Sequence, residues 1–363
     1  MVVLVAQLKR VTIKEVALQA GVSTQTVSRV LNDRPDVSPE TRASIHAVID
    51  RLGYAPNAIA RSLIQGRSST LGVVAAALEY YGPAHILTGI EHQANALGYS
   101  LFLCLLHAPA ADQGQALVHS LLAHQVEGIL WAAPEIGSSS AWLKEKMGQF
   151  STPVIFINTQ ADTRLASASI DNLEGGGQAA RHLLDQGYRH LAALGGPCSW
   201  FEATQRLAGW CEALRAAGFP SEEHPVVCGD WSAESGESAM RQLLQVYPEV
   251  DAVFACNDQM ALGALKAARQ CGRRVPQDLG VVGFDDIPEA SFFDPSLTTI
   301  RQPLNALGAQ AVLELHRLIE TRRQGTDNPP SSSHLLPVEL VVRQSSVKNS
   351  RLLTTHKKRE TDS

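Results

Sequence analysis

The sequence predicts a small all-α unit followed by an α/β region built from two doubly wound parallel sheets. Three observations predict it. Between Thr12 and Gly53, short apolar stripes recur at helical spacing between capping residues; beyond residue 69, apolar strand-like runs alternate with amphipathic helical stretches. The chain has 363 residues, 45% hydrophobic and 18% charged, enough for two or three domains with sizeable cores.

Thr12 with Glu15 three positions later forms a capping box that starts the first helix. Val16, Ala17 and Ala20 give that helix a face of small side chains, close enough for another helix to cross, and Gly21 ends it. Ser23 caps the second helix, in which Val27, Val30 and Leu31 point inward while Thr24, Gln25, Ser28 and Arg29 point outward. Ser38 caps a third, with Pro39 in its first turn and Ile45, Val48, Ile49 and Leu52 as its buried stripe before Gly53. Two helices joined by a three-residue turn, the second carrying hydrogen-bonding side chains, are a helix-turn-helix. Gln pairs bidentately with adenine and Arg with guanine, while Thr or Ser contacts a base or a phosphate. Charge agrees: residues 1–67 hold nine Lys/Arg against five Asp/Glu, net +4, so the remainder carries −9 of the total −5.

Pro56-Asn57 followed by AIARSL starts a helix too short to be stable alone, and Gly66 to Ser69 is a linker. Strand runs then follow: LGVVAAAL from Leu71, SLFLCLL from Ser100, GILWAA from Gly128 and PVIFIN ending at Asn158. A second series runs through HLAALGG, PVVC, DAVFACN and LGVVGFD, and near Leu297 to Leu304 the chain crosses back. The expected organisation is an extension (1–9), a helix-turn-helix domain (10–56), a short helix and linker (57–69), an α/β region (70–347), which the resemblance described below makes an effector-binding and dimerisation domain, and a polar tail (348–363). Within 70–347, one subdomain takes about 70–162 with 305–330 and the other 163–297 with 331–347.

Ligands of open α/β sheets sit beyond the carboxyl ends of the strands, where Asn158, Asn257 and Asp285 fall without a catalytic companion. Vicinal hydroxyls present donor and acceptor together, which Asp, Asn and Arg satisfy bidentately; Arg206 supplies donors and Trp231 a flat face for the apolar side of a pyranose. Gly175-Gly176-Gly177 lacks dinucleotide or P-loop spacing and reads as packing or hinge. The histidines show no metal-ligand spacing, with His182 and His190 read as surface or capping residues, and no nucleophile elbow is present. No metal, cofactor or enzyme activity is expected. Cys104, Cys198, Cys211, Cys228, Cys256 and Cys271 have no zinc spacing and read as reduced, mostly buried residues; without a signal peptide or an apolar run of transmembrane length, the expected location is the cytoplasm, with no membrane partner.

The runs AxxAGVSxxTVSRVLN (Ala17 to Asn32), VSPETR (Val37 to Arg42), LGYAPNAIARSL (Leu52 to Leu63), RLAGW (Arg206 to Trp210), GDWSAESG (Gly229 to Gly236), NDQMALGA (Asn257 to Ala264), VVGFDD (Val281 to Asp286) and LTTIRQP (Leu297 to Pro303) resemble the LacI–GalR family of bacterial transcription regulators over nearly the whole chain. The α/β region also resembles periplasmic sugar-binding proteins. The resemblance implies DNA contacts from Thr12, Ser23, Thr24, Gln25, Thr26, Ser28, Arg29, Asn32, Tyr54, Asn57 and Leu63, with Leu63 the wedge pushed into the minor groove when two hinges pair over an operator. It implies effector contacts from Ala76, Asn158, Glu202, Arg206, Trp231, Asn257, Asp285 and Gln302.

Departures from the family pattern bear on the ligand. Asn158 stands where an aspartate is expected, Ala132 where an asparagine is, Ala76 where a serine is, and Glu202 where a small serine is. The implied partners are a palindromic operator, a sugar effector (a galactoside or related glycoside) and a second copy of the chain, the tail lacking the leucine heptads of a tetramer. A sugar-binding protein without DNA activity and a regulator using a corepressor are the alternatives.

Overall fold

The computed structural model describes residues 11–54, 67–107, 111–134, 141–146, 150–160, 162, 164–220, 224–325 and 332–348. They fall in two units, one within Met1–Ser68 and one within Ser69–Ser363. The extension 1–9, the hinge residues Asn57 and Leu63, and the tail beyond Lys348 lie outside the described residues.

In the first unit, α1 (Ile13–Ala20), α2 (Thr24–Leu31) and α3 (Pro39–Leu52) start where their caps predict. Thr12 N donates to Glu15 Oε2 at 2.7 Å while Glu15 N donates to Thr12 Oγ1, closing the capping box. Gly21 adopts φ 67°, a left-handed conformation that a residue with a Cβ enters only at a cost. Val16, Ala17, Val27, Val30, Ile45 and Val48 form the core, with Ile49 and Leu52 packed at its edge. Arg42 pins the turn between α2 and α3, donating to Asp33 Oδ1 at 3.0 Å and to the Arg34 carbonyl at 2.6 Å.

The second unit holds two six-stranded sheets. The first comprises β1 (Thr70–Ala75), β2 (Ser100–Leu105), β3 (Gly128–Ala132), β4 (Val154–Ile157), β5 (Ser167–Ile170) and β11 (Ser333–Leu336), ordered β11-β5-β4-β3-β1-β2 and wholly parallel. The second comprises β6 (Leu191–Gly195), β7 (Val226–Cys228), β8 (Ala252–Ala255), β9 (Gly280–Asp285), β10 (Thr298–Arg301) and β12 (Glu339–Val341), ordered β12-β10-β9-β8-β6-β7 with only β12 antiparallel. Central strands such as AVFA and GVVGFD are buried along their whole length because helices cover both faces of the sheet.

Helices α4 (Tyr81–Ala96), α5 (Ala111–Ala123) and α6 (Ala141–Lys146) serve the first sheet; α7 (Asn172–Asp185), α8 (Phe201–Ala216), α9 (Ala233–Val246) and α10 (Asp258–Gln270) serve the second. Helix α11 (Leu304–Arg323) returns to pack on α4 and on β3 to β5. The three consecutive glycines of α7 serve packing: a Cβ on Gly176 would lie 1.9 Å from the Arg206 carbonyl oxygen, and one on Gly175 would lie 2.6 Å from the Phe284 ring.

The chain passes between the sheets three times: around Asp171, at Gln302-Pro303, and at Pro337-Val338. This corrects the expected boundaries at 163 and 331, because β5 and β11 both belong to the first sheet. Their sequences, SASI and SHLL, carry polar side chains that hide the strand signal, and they pair with each other through Ser167 and Ser333. The cysteine expectation is corrected too. Cys198 and Cys228, both exposed, are joined as a disulfide, and Cys271 is exposed; only Cys104 and Cys256 are buried free thiols, with Cys211 half-buried. His182 is buried rather than superficial, hydrogen-bonded to Ser346 Oγ at 2.7 Å. Among the described residues no helix is long and apolar enough to cross a membrane, and no cluster of His, Cys, Asp or Glu is suited to a metal ion.

Candidate functional site

On the first unit, α2 displays Thr24, Gln25 and Arg29 in the open, with Thr26 and Ser28 half-buried beside them. Other predicted DNA residues shape the ends of the helices. Ser23 Oγ accepts from Thr26 N at 3.1 Å, and Asn32 Nδ2 donates to the Ser28 carbonyl at 2.7 Å. Thr12 caps α1, and Tyr54 packs half-buried against the three-helix core. Arg29 lies 3.3 Å from Asp36, an exposed pair that surrenders little when the guanidinium turns to another partner.

The second unit contains a cleft between its two sheets, at the carboxyl ends of their strands. Its polar side comes from the second subdomain. Arg206, 5% exposed, projects from α8; its Nε donates to Asn172 Oδ1 at 2.8 Å, its Nη1 donates to the Cys256 carbonyl, and its guanidinium lies 3.8 Å from the centre of the Phe284 ring. Nη1 also lies 3.6 Å from Oδ1 of Asp285, the last residue of β9 and 7% exposed. Gln302 Nε2 donates to the same Asp285 oxygen at 2.6 Å. Burial pushes the Asp285 carboxyl up to about 6, against the pull of the Arg206 charge and the Gln302 hydrogen bond.

Asn257 is the N-cap of α10: its Oδ1 accepts from Met260 N at 2.9 Å while its Nδ2 donates to the Trp231 carbonyl at 2.9 Å. The Trp231 ring rests on Gly196, where a Cβ would come within 2.2 Å of it, and its buried Nε1 has no hydrogen-bond partner among the described residues. Trp200 stands edge-on to Trp231 with centroids 5.8 Å apart, and Tyr80 from the first subdomain stands edge-on to Trp200 at 5.7 Å. The Tyr80 hydroxyl donates to the Asp230 carbonyl at 3.3 Å, a hydrogen bond across the mouth of the cleft. Asn158, Trp231 and Asp285 all line this space with φ of 50°, 76° and 118°, unusual values for residues that carry a Cβ and a form of strain that gathers at ligand sites.

Of the eight expected effector residues, Asn158, Glu202, Arg206, Trp231, Asn257, Asp285 and Gln302 line the cleft. Ala76 does not; it packs against the apolar cluster around Val74 and Trp131. Asn158 contributes less than expected, since its Oδ1 already accepts from Ile170 N at 3.1 Å. The sequence reading missed Tyr80, Tyr81, Trp200 and Gln259. The rule that found Asp285 applies to three of them, because Tyr80 and Tyr81 follow the run LGVVAAAL and Trp200 follows HLAALGG.

A helix-turn-helix with an open polar helix face, on the same chain as a two-lobed α/β unit whose cleft gathers Arg206, Asn257 and Asp285, defines the class of ligand-responsive DNA-binding regulators. Comparison with known proteins makes the class specific. Residues 12–57 match the family described as bacterial regulatory proteins, lacI family, and residues 180–346 match a periplasmic binding protein-like domain. The lactose operon repressor of Escherichia coli (strain K12) is 35% identical over 341 residues, covering 94% of this chain and 92% of its own. The HTH-type transcriptional repressor PurR of Photorhabdus laumondii is 37% identical over 314 residues, covering 86% and 91%. A crystal structure of the lac repressor dimer bound to operator and the anti-inducer ONPF, 34% identical, superposes with a TM-score of 0.83 over 93% of this chain and 100% of that one. The chain belongs to the lacI family of bacterial transcription regulators.

Proposed function

We propose that the chain represses a sugar-utilisation operon, acting in the cytoplasm as a homodimer that holds a palindromic operator and releases it when a galactoside or related glycoside fills the cleft. The observation that carries this reading is the buried Arg206–Asp285–Gln302 group beside Trp231. An ionised carboxylate accepts from vicinal hydroxyls while Arg206 and Gln302 donate to them, and Trp231 presents a ring face to the apolar side of a pyranose. Its Nε1–H, buried and without a partner among the described residues, takes a ligand oxygen as acceptor. Relatives named as the lactose operon repressor and as PurR match about equally, so the cleft itself must choose the ligand. A planar corepressor such as a purine base is the competing reading, and it calls for parallel faces to lie between; Trp200 and Trp231 meet at 70°.

In this reading the dimer offers two copies of α2 to successive major-groove half-sites. Saccharide binding changes the angle between subdomains about their three crossings and lowers the dimer's hold on the operator. A hundredfold loss of operator affinity needs about 2.7 kcal/mol of differential ligand binding. The test is calorimetry and thermal shift with lactose, other glycosides and purine bases, repeated with labelled palindromic DNA. The expected result is glycoside binding that lowers DNA occupancy, with Trp231→Ala keeping DNA binding and losing the response. Silence towards every sugar, with a purine base strengthening DNA binding, replaces the inducer reading with the corepressor one.

A further inference from the structure

We propose that Cys198 and Cys228 form a dithiol–disulfide site, modified by low-molecular-weight disulfides of the glutathione class, whose closure holds the aromatic wall of the cleft and raises its affinity for ligand. Cys228 ends β7, the edge strand of the second sheet, and Cys198 lies in the turn that follows β6, its neighbour. The two are joined with Cα atoms 6.8 Å apart and a sequence separation of 30. Both are exposed, so an external disulfide can reach either sulfur. The buried thiols contrast with them: burial raises Cys104 and pushes Cys256 up to about 12, which keeps both from exchange.

Position makes the bond consequential. Cys198 is two residues before Trp200 and Cys228 three before Trp231, and these rings meet edge-on at 5.8 Å in the cleft wall. The backbone pairs β6 with β7 as far as Gly195 opposite Cys228, with Gly229 N donating to the Gly195 carbonyl at 2.7 Å. The turn beyond closes through Trp200 N and the Pro197 carbonyl at 3.0 Å. The disulfide therefore fastens the turn that carries Trp200 to the strand end that carries Trp231, and Trp200 in turn meets Tyr80 from the other subdomain.

The chemistry balances without another oxidant. A thiolate of the pair attacks one sulfur of the small disulfide, expelling one thiol and leaving a mixed disulfide; the second cysteine then attacks the protein sulfur, closes the bond and expels the second thiol. Two protein thiols are oxidised as one disulfide is reduced to two thiols, which take up the protons. In a reducing cytoplasm an exposed bond of this kind opens and closes with the thiol poise. Closing it meets the cost of ordering the wall before ligand arrives, so the oxidised chain binds glycoside about three- to tenfold more tightly.

The affinity part rests on the saccharide reading above; the bond and the wall do not. The full chain is equilibrated with glutathione and glutathione disulfide in varied ratio. It is then examined by non-reducing peptide mass mapping, acrylamide quenching of tryptophan fluorescence, and calorimetry with lactose and cellobiose as probes. We expect a linked 198–228 peptide that dithiothreitol releases, weaker quenching when linked, and the three- to tenfold gain. Cys198→Ser and Cys228→Ser should stay at the reduced values across all ratios, with unchanged thermal unfolding. Only mixed glutathione adducts, or identical quenching in both states, overturns the proposal. If neither sugar binds in either state while the linked peptide and quenching change persist, the saccharide reading fails and the redox site stands. Equal sugar affinity in both states removes the coupling to ligand.

Discussion

In the helix-turn-helix unit, Thr24, Gln25 and Arg29 stand exposed over a core of six apolar side chains, whereas in the α/β unit Arg206, Asn257 and Asp285 are each less than a tenth exposed. On the proposed reading, the first arrangement separates recognition from stability at these three positions, whose side chains add little to the core beneath them, although Ser23 and Asn32 nearby also hold helix ends. The second merges the two. Arg206 bonds to Asn172 and to the Cys256 carbonyl, lies on Phe284 and faces Asp285, so the side chains that line the cleft also join α8 to the ends of neighbouring elements. A regulator that must read many DNA sequences and discard most of them gains from an exposed, adaptable face, while a site that must tell one hydroxyl from another gains from burial, where an unpaired partner is costly.

The largest expected effect strikes the buried side. Arg206→Ala leaves the Asp285 carboxylate without its counter-charge in a closed site and should cost the α/β unit about 3–5 kcal/mol, with ligand binding abolished, as read by calorimetric unfolding. An unchanged unfolding temperature for that unit would break the contrast. On the exposed side, Gln25→Ala should lose about 1–3 kcal/mol of discrimination at one operator base pair with no change in unfolding, measured by binding to single-base operator variants. A matching loss of stability would show that the recognition face is also structural.

Next in size is pH. With the Asp285 carboxyl held near 6 and ligand hydroxyls donating to its ionised form, glycoside affinity should fall about tenfold between pH 7 and pH 5 in titration calorimetry. The ligand-free fold responds with the opposite sign. Between the ordinary value of 3.8 and about 6 the folded state holds a proton that the unfolded chain releases, so this group's contribution to stability is present at low pH and is lost as pH rises through 6. Affinity and stability moving together across that window would remove Asp285 from the ligand's contacts. The smallest effect is Thr12→Ala, which removes the side-chain half of the capping box and should cost the three-helix unit about 1 kcal/mol, leaving the α/β unit untouched.

How far the chain could be read in advance follows the same division. Helix starts in the first unit depend on residues three or four apart, and Thr12, Ser23 and Ser38 lie at the caps where that spacing puts them. Strand ends are almost as local, which is why Asn257 and Asp285 could be singled out. Tyr80, Tyr81 and Trp200 obey the same rule but give no separate signal, because an aromatic after an apolar run looks like more core until the opposite lobe is in view. Ala76 is implied by resemblance alone, yet its side chain packs against the cluster around Val74 and Trp131.

The order of amino acids, taken alone, determined the helix-turn-helix, the alternation of strands and helices, and the kinds of polar side chain that stand at the strand ends, because each depends on periodicity or on neighbours within one turn or strand. Tertiary structure alone decided that β5 and β11 pair in the first sheet, that Arg206 meets Asp285 across 79 positions, and that Cys198 and Cys228 meet across 30. Those contacts exist only after two sheets have formed and the chain has crossed between them three times. No local pattern records where such distant segments come to rest, because their partners are chosen by the packing of whole layers.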